Sequence, residues 1–144
     1  MPEKETLERA RKDKREGKAA STQAGEFVRE EIEHIREGKH GARSTKQAIA
    51  IGLSKARRAG VDLPTPQNAS EETKEQAERD TRRAHSGKRP SATRSRATRK
   101  ALKREPRSAA SKLALSRQAR GAAKRRSAAS RSRSAQKAAA TRKK

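Results

Sequence analysis

Apolar side chains recur with the period of a helix in two stretches of this chain and almost nowhere else. Val28, Ile32 and Ile35 follow one another at i, i+4 and i+7 with Phe27 beside them, after Ser21 and Thr22 as plausible caps. Gly38 then supplies the residue type that closes a helix, so the spacing predicts a stop near Glu37. Ser44 with Gln47 three residues on makes a capping-box pattern, and Ala48, Ile49, Gly52, Leu53 and Ala56 share one stripe. Gly60 followed by Val61 reads as a Schellman ending, and Pro64 and Pro66 prevent continuation. The pattern predicts a helical hairpin core over residues 21–63. In it Ala48, Gly52 and Ala56 admit a close neighbour, and Val28, Ile32 and Ile35 pack over Ile49 and Leu53.

The flanking segments are polar. Glu3 to Glu16 is a charged helix candidate within residues 1–20, with Glu5 and Arg9, and Glu8 and Lys12, at i, i+4 spacing. Leu7 and Ala10 are its only apolar contacts, so it is expected to form weakly and stay undocked. Residues 64–86 read as a linker and a polar helix, Glu71 to about His85, capped by Ser70. That helix has no apolar face and depends on pairs such as Glu75 with Arg79 and Glu78 with Arg82, so fraying is expected. Residues 87–144 are rich in Lys, Arg, Ala and Ser, interrupted by Pro90 and Pro106 and loosened by Gly87 and Gly121. The fold class expected is mostly α: a small helical hairpin with flanking charged helices and a long disordered basic tail.

Composition sharpens this. Of the 14 Leu, Ile, Val, Met and Phe residues, 11 lie at or before Leu63, and only Leu102, Leu113 and Leu115 come later. A unit of about 60 residues buries only about 60% of its unfolded surface and is marginal without a staple. No cysteine is present to provide one, which also removes thiolate zinc sites and thiol chemistry and fits a reducing compartment. No apolar run resembles a secretory signal or a membrane span. A soluble, cytoplasmic, nucleoid-associated protein with no membrane partner is expected.

Charge supplies the functional signal. Residues 81–144 hold 23 Lys and Arg against the single acid Glu105, whereas residues 1–80 hold 17 bases against 16 acids. A segment so charged repels itself until a polyanion neutralises it. The candidate nucleic-acid-binding residues are the clustered bases Arg82, Arg83, Lys88, Arg89, Arg99, Lys100, Lys103, Arg104, Lys124, Arg125, Arg126, Arg142, Lys143 and Lys144. Such contacts fix position without reading sequence. Single-strand and RNA binders stack bases on aromatic rings, and this chain has no Trp, no Tyr and one Phe expected in the core, which favours DNA over RNA. At the start of the third helix Arg43, Ser44 and Lys46 could surround one phosphate, although ordinary capping gives the same pattern. Arg94-Ser95-Arg96 and the run Ser130 to Ser134 resemble short Arg/Ser repeats whose phosphorylation would cancel charge.

Glu26, Glu30, Glu31, Glu33 and Glu37 make the second helix an acidic surface that could compete for the tail, within one chain or between copies. His34, His40 and His85 are not spaced with carboxylates in a ligand pattern, and no Walker loop, dinucleotide fingerprint or cysteine nucleophile is present. The expectation is no enzyme, no cofactor and no metal site.

The stretch Arg43 to Gly60, with Gln47-Ala48-Ile49-Ala50-Ile51 as its core, resembles the signature of small basic bacterial proteins of uncharacterised function. Some of these carry plasmid-stabilisation or DNA-binding labels. The likeness spans roughly Glu26 to Gly60. The tail is similar in composition to linker-histone C-terminal tails and bacterial histone-like proteins, which implies DNA compaction, although proline-containing phosphosite repeats are missing. The function expected is sequence-independent nucleic-acid binding and compaction. Alternatives are a protein-interaction or self-association module tethered to DNA or RNA by the tail, or a ribosome-associated factor.

Overall fold

The computed structural model describes residues 2–143. Among them are seven α-helices and one 3₁₀ turn, and no strand: α1 Lys4–Arg15, α2 Ala20–Arg36, α3 Thr45–Arg58, α4 Glu71–Ser86, α5 Ala92–Lys103, the 3₁₀ turn Ser108–Ala110, α6 Lys112–Arg125 and α7 Ala128–Arg142. No helix among these residues is long and apolar enough to cross a membrane.

The hairpin of α2 and α3 is the centre of the fold. Its turns follow the expected chemistry. Ser44 Oγ accepts from the Gln47 amide at 3.1 Å to open α3, and Gln47 Oε1 accepts from the Arg43 amide at 2.6 Å. At the other end Gly60 takes φ 95°, and the Val61 amide donates to the Ala56 carbonyl while the Gly60 amide donates to Arg57, a Schellman pair of bonds. Helix α2 closes the same way around Gly38, although Ala19 stands at its N-cap and Ser21 and Thr22 lie inside it.

Small residues set how closely the helices approach. A Cβ on Gly52 would stand 2.6 Å from Val28 Cα and 2.9 Å from Val28 N, so the α2 backbone rests directly on α3 at this position. Ile32 and Ile35 pack with Ala42 and Ala48 in one apolar cluster, with Val28 at its edge. Leu53 belongs instead to a second cluster, with Ala10, Ala24, Phe27 and Ala56. Ile49 is half-buried and outside both clusters, so the expected contact of Ile32 and Ile35 over Ile49 gives way to alanines.

Three further expectations, about α1, α4 and the acidic face of α2, are corrected. Helix α1 is docked on α2: Ala10 and Leu7 join Phe27 in the second cluster, and Arg9 Nε donates to Glu26 Oε2 at 2.6 Å. Two apolar residues suffice because Phe27 is the one large ring available and α1 is what covers it. Helix α4 packs on α3 rather than fraying. Ala77 and Asp80 are its buried residues, and the Asp80 carboxylate accepts from Gln76 Nε2 and lies 3.6 Å from Arg58 Nε. A carboxylate, not an apolar stripe, holds this helix in place. The acidic face of α2 is partly an interior: Glu30 and Glu31 are only 2% and 1% exposed. Glu31 Oε1 accepts from Lys55 Nζ of α3, and Glu30 accepts from the Glu3 amide at 3.2 Å. Buried carboxylates survive only when paired in this way. Glu3 itself bonds His34 Nε2 at 2.9 Å and Lys39 Nζ at 3.3 Å, and these contacts, His34 first, hold its carboxyl below the usual range.

The basic segment is helical as well, against the expectation of disorder. Its serines are the reason: Ser91, Ser111 and Ser127 each cap a helix, their Oγ atoms accepting from the Arg94, Ala114 and Ser130 amides at 3.2, 3.1 and 3.1 Å. Between the caps, Ala, Arg and Lys are strong helix formers. Pro90 and Pro106 fall between helices, and Gly121 lies within α6.

Replacing Gly52 by Ala sets about 1 kcal/mol of gained helix propensity against about 1–3 kcal/mol of overpacking. The clash is with backbone that cannot rotate away, so Gly52→Ala is expected to lower the melting temperature. A thermal melt by circular dichroism checks it, and a stabilised variant would contradict the packing described.

Candidate nucleic-acid interface

The segment from Leu102 to Ala110 is built into the hairpin, and this positions everything after α4. The Gly41 amide donates to the Leu102 carbonyl at 2.9 Å, the Ala42 amide to Pro106 at 3.0 Å and Thr45 Oγ1 to Ala109 at 2.7 Å. Arg36 Nε donates to the Ala110 carbonyl at 2.9 Å, and Arg107 Nη2 donates to the Arg36 carbonyl at 2.7 Å. Ala109 and Ala110 complete the apolar cluster of Ile32 and Ile35, with Leu115 of α6 against it. A Cβ on Gly41 would overlap the Glu105 carbonyl and stand 2.6 Å from that of Pro106, so only glycine lets these two loops cross.

On either side of this anchor α5 and α7 stand largely free, whereas α6 touches α3 and sets Leu115 against the cluster. No residue of α5, α6 or α7 is fully buried, and α5 and α7 make at most marginal contact with any other helix. The bases expected to bind divide accordingly. Arg82 and Arg83 are exposed on α4, and Lys88 and Arg89 lie on the connector to α5. Arg99, Lys100 and Lys103 are exposed on α5, with Arg104 at its C-cap. Lys124 and Arg125 end α6. Arg126 is engaged in structure, its guanidinium donating to Ser130 Oγ at 3.0 Å, to the Ser130 carbonyl at 3.1 Å and to Ser134 Oγ. Arg142 ends α7 and Lys143 caps it, while Lys144 lies outside the described residues.

Helical placement reveals what counting clusters missed. Arg96, Arg99, Lys100 and Lys103 stand at i, i+3, i+4 and i+7, one cationic stripe on α5 with Ala97, Ala101 and Leu102 on the opposite side. Arg117, Arg120 and Lys124 share a face of α6 with Leu113, which is 59% exposed. Reading the bases as adjacent clusters finds Arg99, Lys100 and Lys103 but leaves out Arg96, Arg117 and Arg120. The signal was present as Ser caps followed by this spacing.

From Thr81 onward, no Lys or Arg has a carboxylate within ion-pair distance among the described residues, whereas ion pairs are dense between Glu3 and Asp80. The bases of α5 to α7 are thus an uncompensated positive field on scaffolds of fixed spacing. The start of α3 contributes less than its sequence implies. Arg43 and Lys46 are exposed, but the Gln47 amide is taken by Ser44 and the Arg43 amide by Gln47, which leaves an anion mainly the two side-chain cations.

Residues 11–67 match the model of a family of unknown function, DUF6496. The matched stretch runs from within α1 through the hairpin to the loop before α4, and it ends ahead of the basic helices. It fits the resemblance to proteins of uncharacterised function read from Arg43 to Gly60. Neither a curated protein nor a solved structure matches the chain.

Gly41→Ala should loosen the anchor without touching any base. Limited trypsin digestion should cut faster at Arg104 and Arg107 in this variant, and an unchanged cleavage rate would contradict the docking of Leu102 to Ala110.

Proposed function

We propose that this protein binds nucleic acid, duplex DNA in preference to RNA, through the phosphate backbone and without sequence readout, and that it condenses the polymer in the manner of histone-like, nucleoid-associated proteins. The observation that carries this reading is the stripe Arg96, Arg99, Lys100 and Lys103: four exposed cations on one helical face with no carboxylate partner. Cations held at helical spacing displace condensed counterions from a duplex, which is the main source of sequence-independent affinity. Several basic helices joined by short connectors let one chain contact separate segments of polymer, the geometry that compaction requires. Phe27 is buried and the chain has no Trp or Tyr to stack bases, which supports duplex over single strand.

Competition between the acidic face of α2 and DNA for the basic segment has less support than the sequence implied, since Glu30 and Glu31 are buried and already paired. The loop Gly38 to Ser44 instead receives the basic segment through its backbone.

Filter binding of the full chain to duplex DNA, single strands and RNA across a salt series tests the reading. Engagement of about 6–10 phosphates makes affinity fall roughly 10³- to 10⁵-fold between about 50 and 200 mM salt. Replacing Arg96, Arg99, Lys100 and Lys103 by Gln should reduce the log–log salt slope by up to about 0.9 for each phosphate no longer neutralised, while leaving the helical spectrum intact. A salt-insensitive affinity, or a quadruple variant that binds like the parent, would refute it.

A further inference from the structure

His40 lies six positions after His34, a spacing that places no two side chains together on a helix, yet the fold brings their rings to 6.2 Å between centroids at 82°. Gly38 is the cause. Its left-handed turn at the end of α2, with the Lys39 amide bonded to the His34 carbonyl, folds the chain back so that His40 returns over the last helical turn. Both imidazoles then face Glu31, and one ligand atom from each of Glu31, His34 and His40 lies within 4.8 Å of the others.

The hydrogen bonds around these three side chains orient them as a metal site does. His40 Nδ1 is 2.9 Å from the Gly41 carbonyl, which can only accept, so Nδ1 carries a proton and Nε2 is the nitrogen that offers a lone pair in the neutral ring. That Nε2 stands 3.1 Å from Glu31 Oε2, outside the alignment of a hydrogen bond, and Oε2 is a buried carboxylate oxygen with no donor at all. An acceptor oxygen without a donor thus stands beside a ring nitrogen at a separation that one shared ion could span. His34 is turned the same way: Nε2 bonds the Glu3 carboxylate at 2.9 Å, leaving Nδ1 on the side of Glu31, 4.0 Å from Oε1. Imidazoles whose second nitrogen donates to a carboxylate or a backbone carbonyl are the usual ligands of metal ions.

We propose that Glu31, His34 and His40 bind one divalent transition-metal ion of the zinc type, through Glu31 Oε2, His34 Nδ1 and His40 Nε2, with water as a fourth ligand. Two imidazoles and one carboxylate suit zinc and its neighbours rather than magnesium or calcium, which take oxygen. Ligand atoms bonded at about 2.0–2.1 Å to a tetrahedral ion sit about 3.3 Å apart, close to the His40–Glu31 separation. Lys55 occupies only Oε1, so the ion neutralises the oxygen that the lysine leaves bare. Glu3, Glu30 and Glu31 set three carboxylates against the two ammonium groups of Lys39 and Lys55, a net charge that favours a cation. The rings are 14% and 12% exposed, which gives an ion access from solvent. Bound there, it would tie the end of α2 to the loop that receives the basic segment.

Titrating zinc chloride into the chelator-treated full chain, with NMR observation of its three histidine rings, tests the site. His34 and His40 should shift together and saturate at one ion per chain, with His85 unmoved, and magnesium chloride should produce no such change. His40→Gln should weaken zinc binding at least about tenfold, as removal of even an outer ligand partner does, while His85→Gln leaves it unchanged. The proposal fails if the His34 and His40 signals stay still at equimolar zinc, if magnesium moves them equally, or if folded His40→Gln binds zinc as the parent does. The parent titration decides the matter even if that variant does not fold.

Discussion

A shortage of large apolar side chains governs this structure. With one Phe and a handful of aliphatic residues, the interior is filled largely by alanine, and alanine packs only where backbones come close. Gly52 against Val28 and Gly41 against Glu105 and Pro106 are the points of closest approach. Each brings peptide groups of two segments together, so backbone hydrogen bonds and side-chain caps take over work that aliphatic burial does in larger cores. The same shortage explains why carboxylates are buried. Glu30, Glu31 and Asp80 fill volume that a Leu-rich protein would give to hydrocarbon, and each needs a specific partner to be tolerated there.

Charge is distributed in two regimes as a result. Up to Asp80, acids and bases pair across and within helices and serve the fold. Lys18 shows this at the end of α1, where Asp13 first and Glu16 next hold its ammonium charged well beyond the usual lysine range. Beyond that point the bases find no acid among the described residues, and helix propensity keeps them apart at regular spacing. The segment Leu102 to Ala110 is the joint between the regimes, fixed to the hairpin by its backbone while α5 and α7 extend away from it. On the proposed reading, the hairpin carries the basic helices rather than merely preceding them.

Local signals were legible in the sequence, and long-range ones were not. The ends of α3, with Ser44 and Gly60, follow from residue type and spacing, and so does the close packing at Gly52. The docking of α1 and α4 was hidden because each is carried by one alanine, joined in α1 by Leu7, and a charged side chain, which no apolar periodicity marks. The helices of the basic segment were missed because mutual repulsion of the bases was expected to hold back the propensity of Ala, Lys and Arg, and Ser91, Ser111 and Ser127 look like three serines among many until their caps are seen. The His34, His40 and Glu31 cluster has no sequence pattern because a left-handed glycine, not a helical repeat, brings its members together. The basic stripe of α5 lay in plain view as i, i+3, i+4, i+7, but reading the bases as clusters picks out Arg99, Lys100 and Lys103 and passes over Arg96, one turn earlier on the same face.

Hydrogen–deuterium exchange of the full chain with and without duplex DNA tests the central claim most directly, because it reports where the polymer is held. The account predicts that amides of α5 and α7, helices that no neighbouring helix covers in the free protein, gain protection at low salt and lose it again at high salt, while those of α2 and α3 stay as they are. Protection confined to the hairpin, with α5 and α7 exchanging as in the free chain, would contradict it.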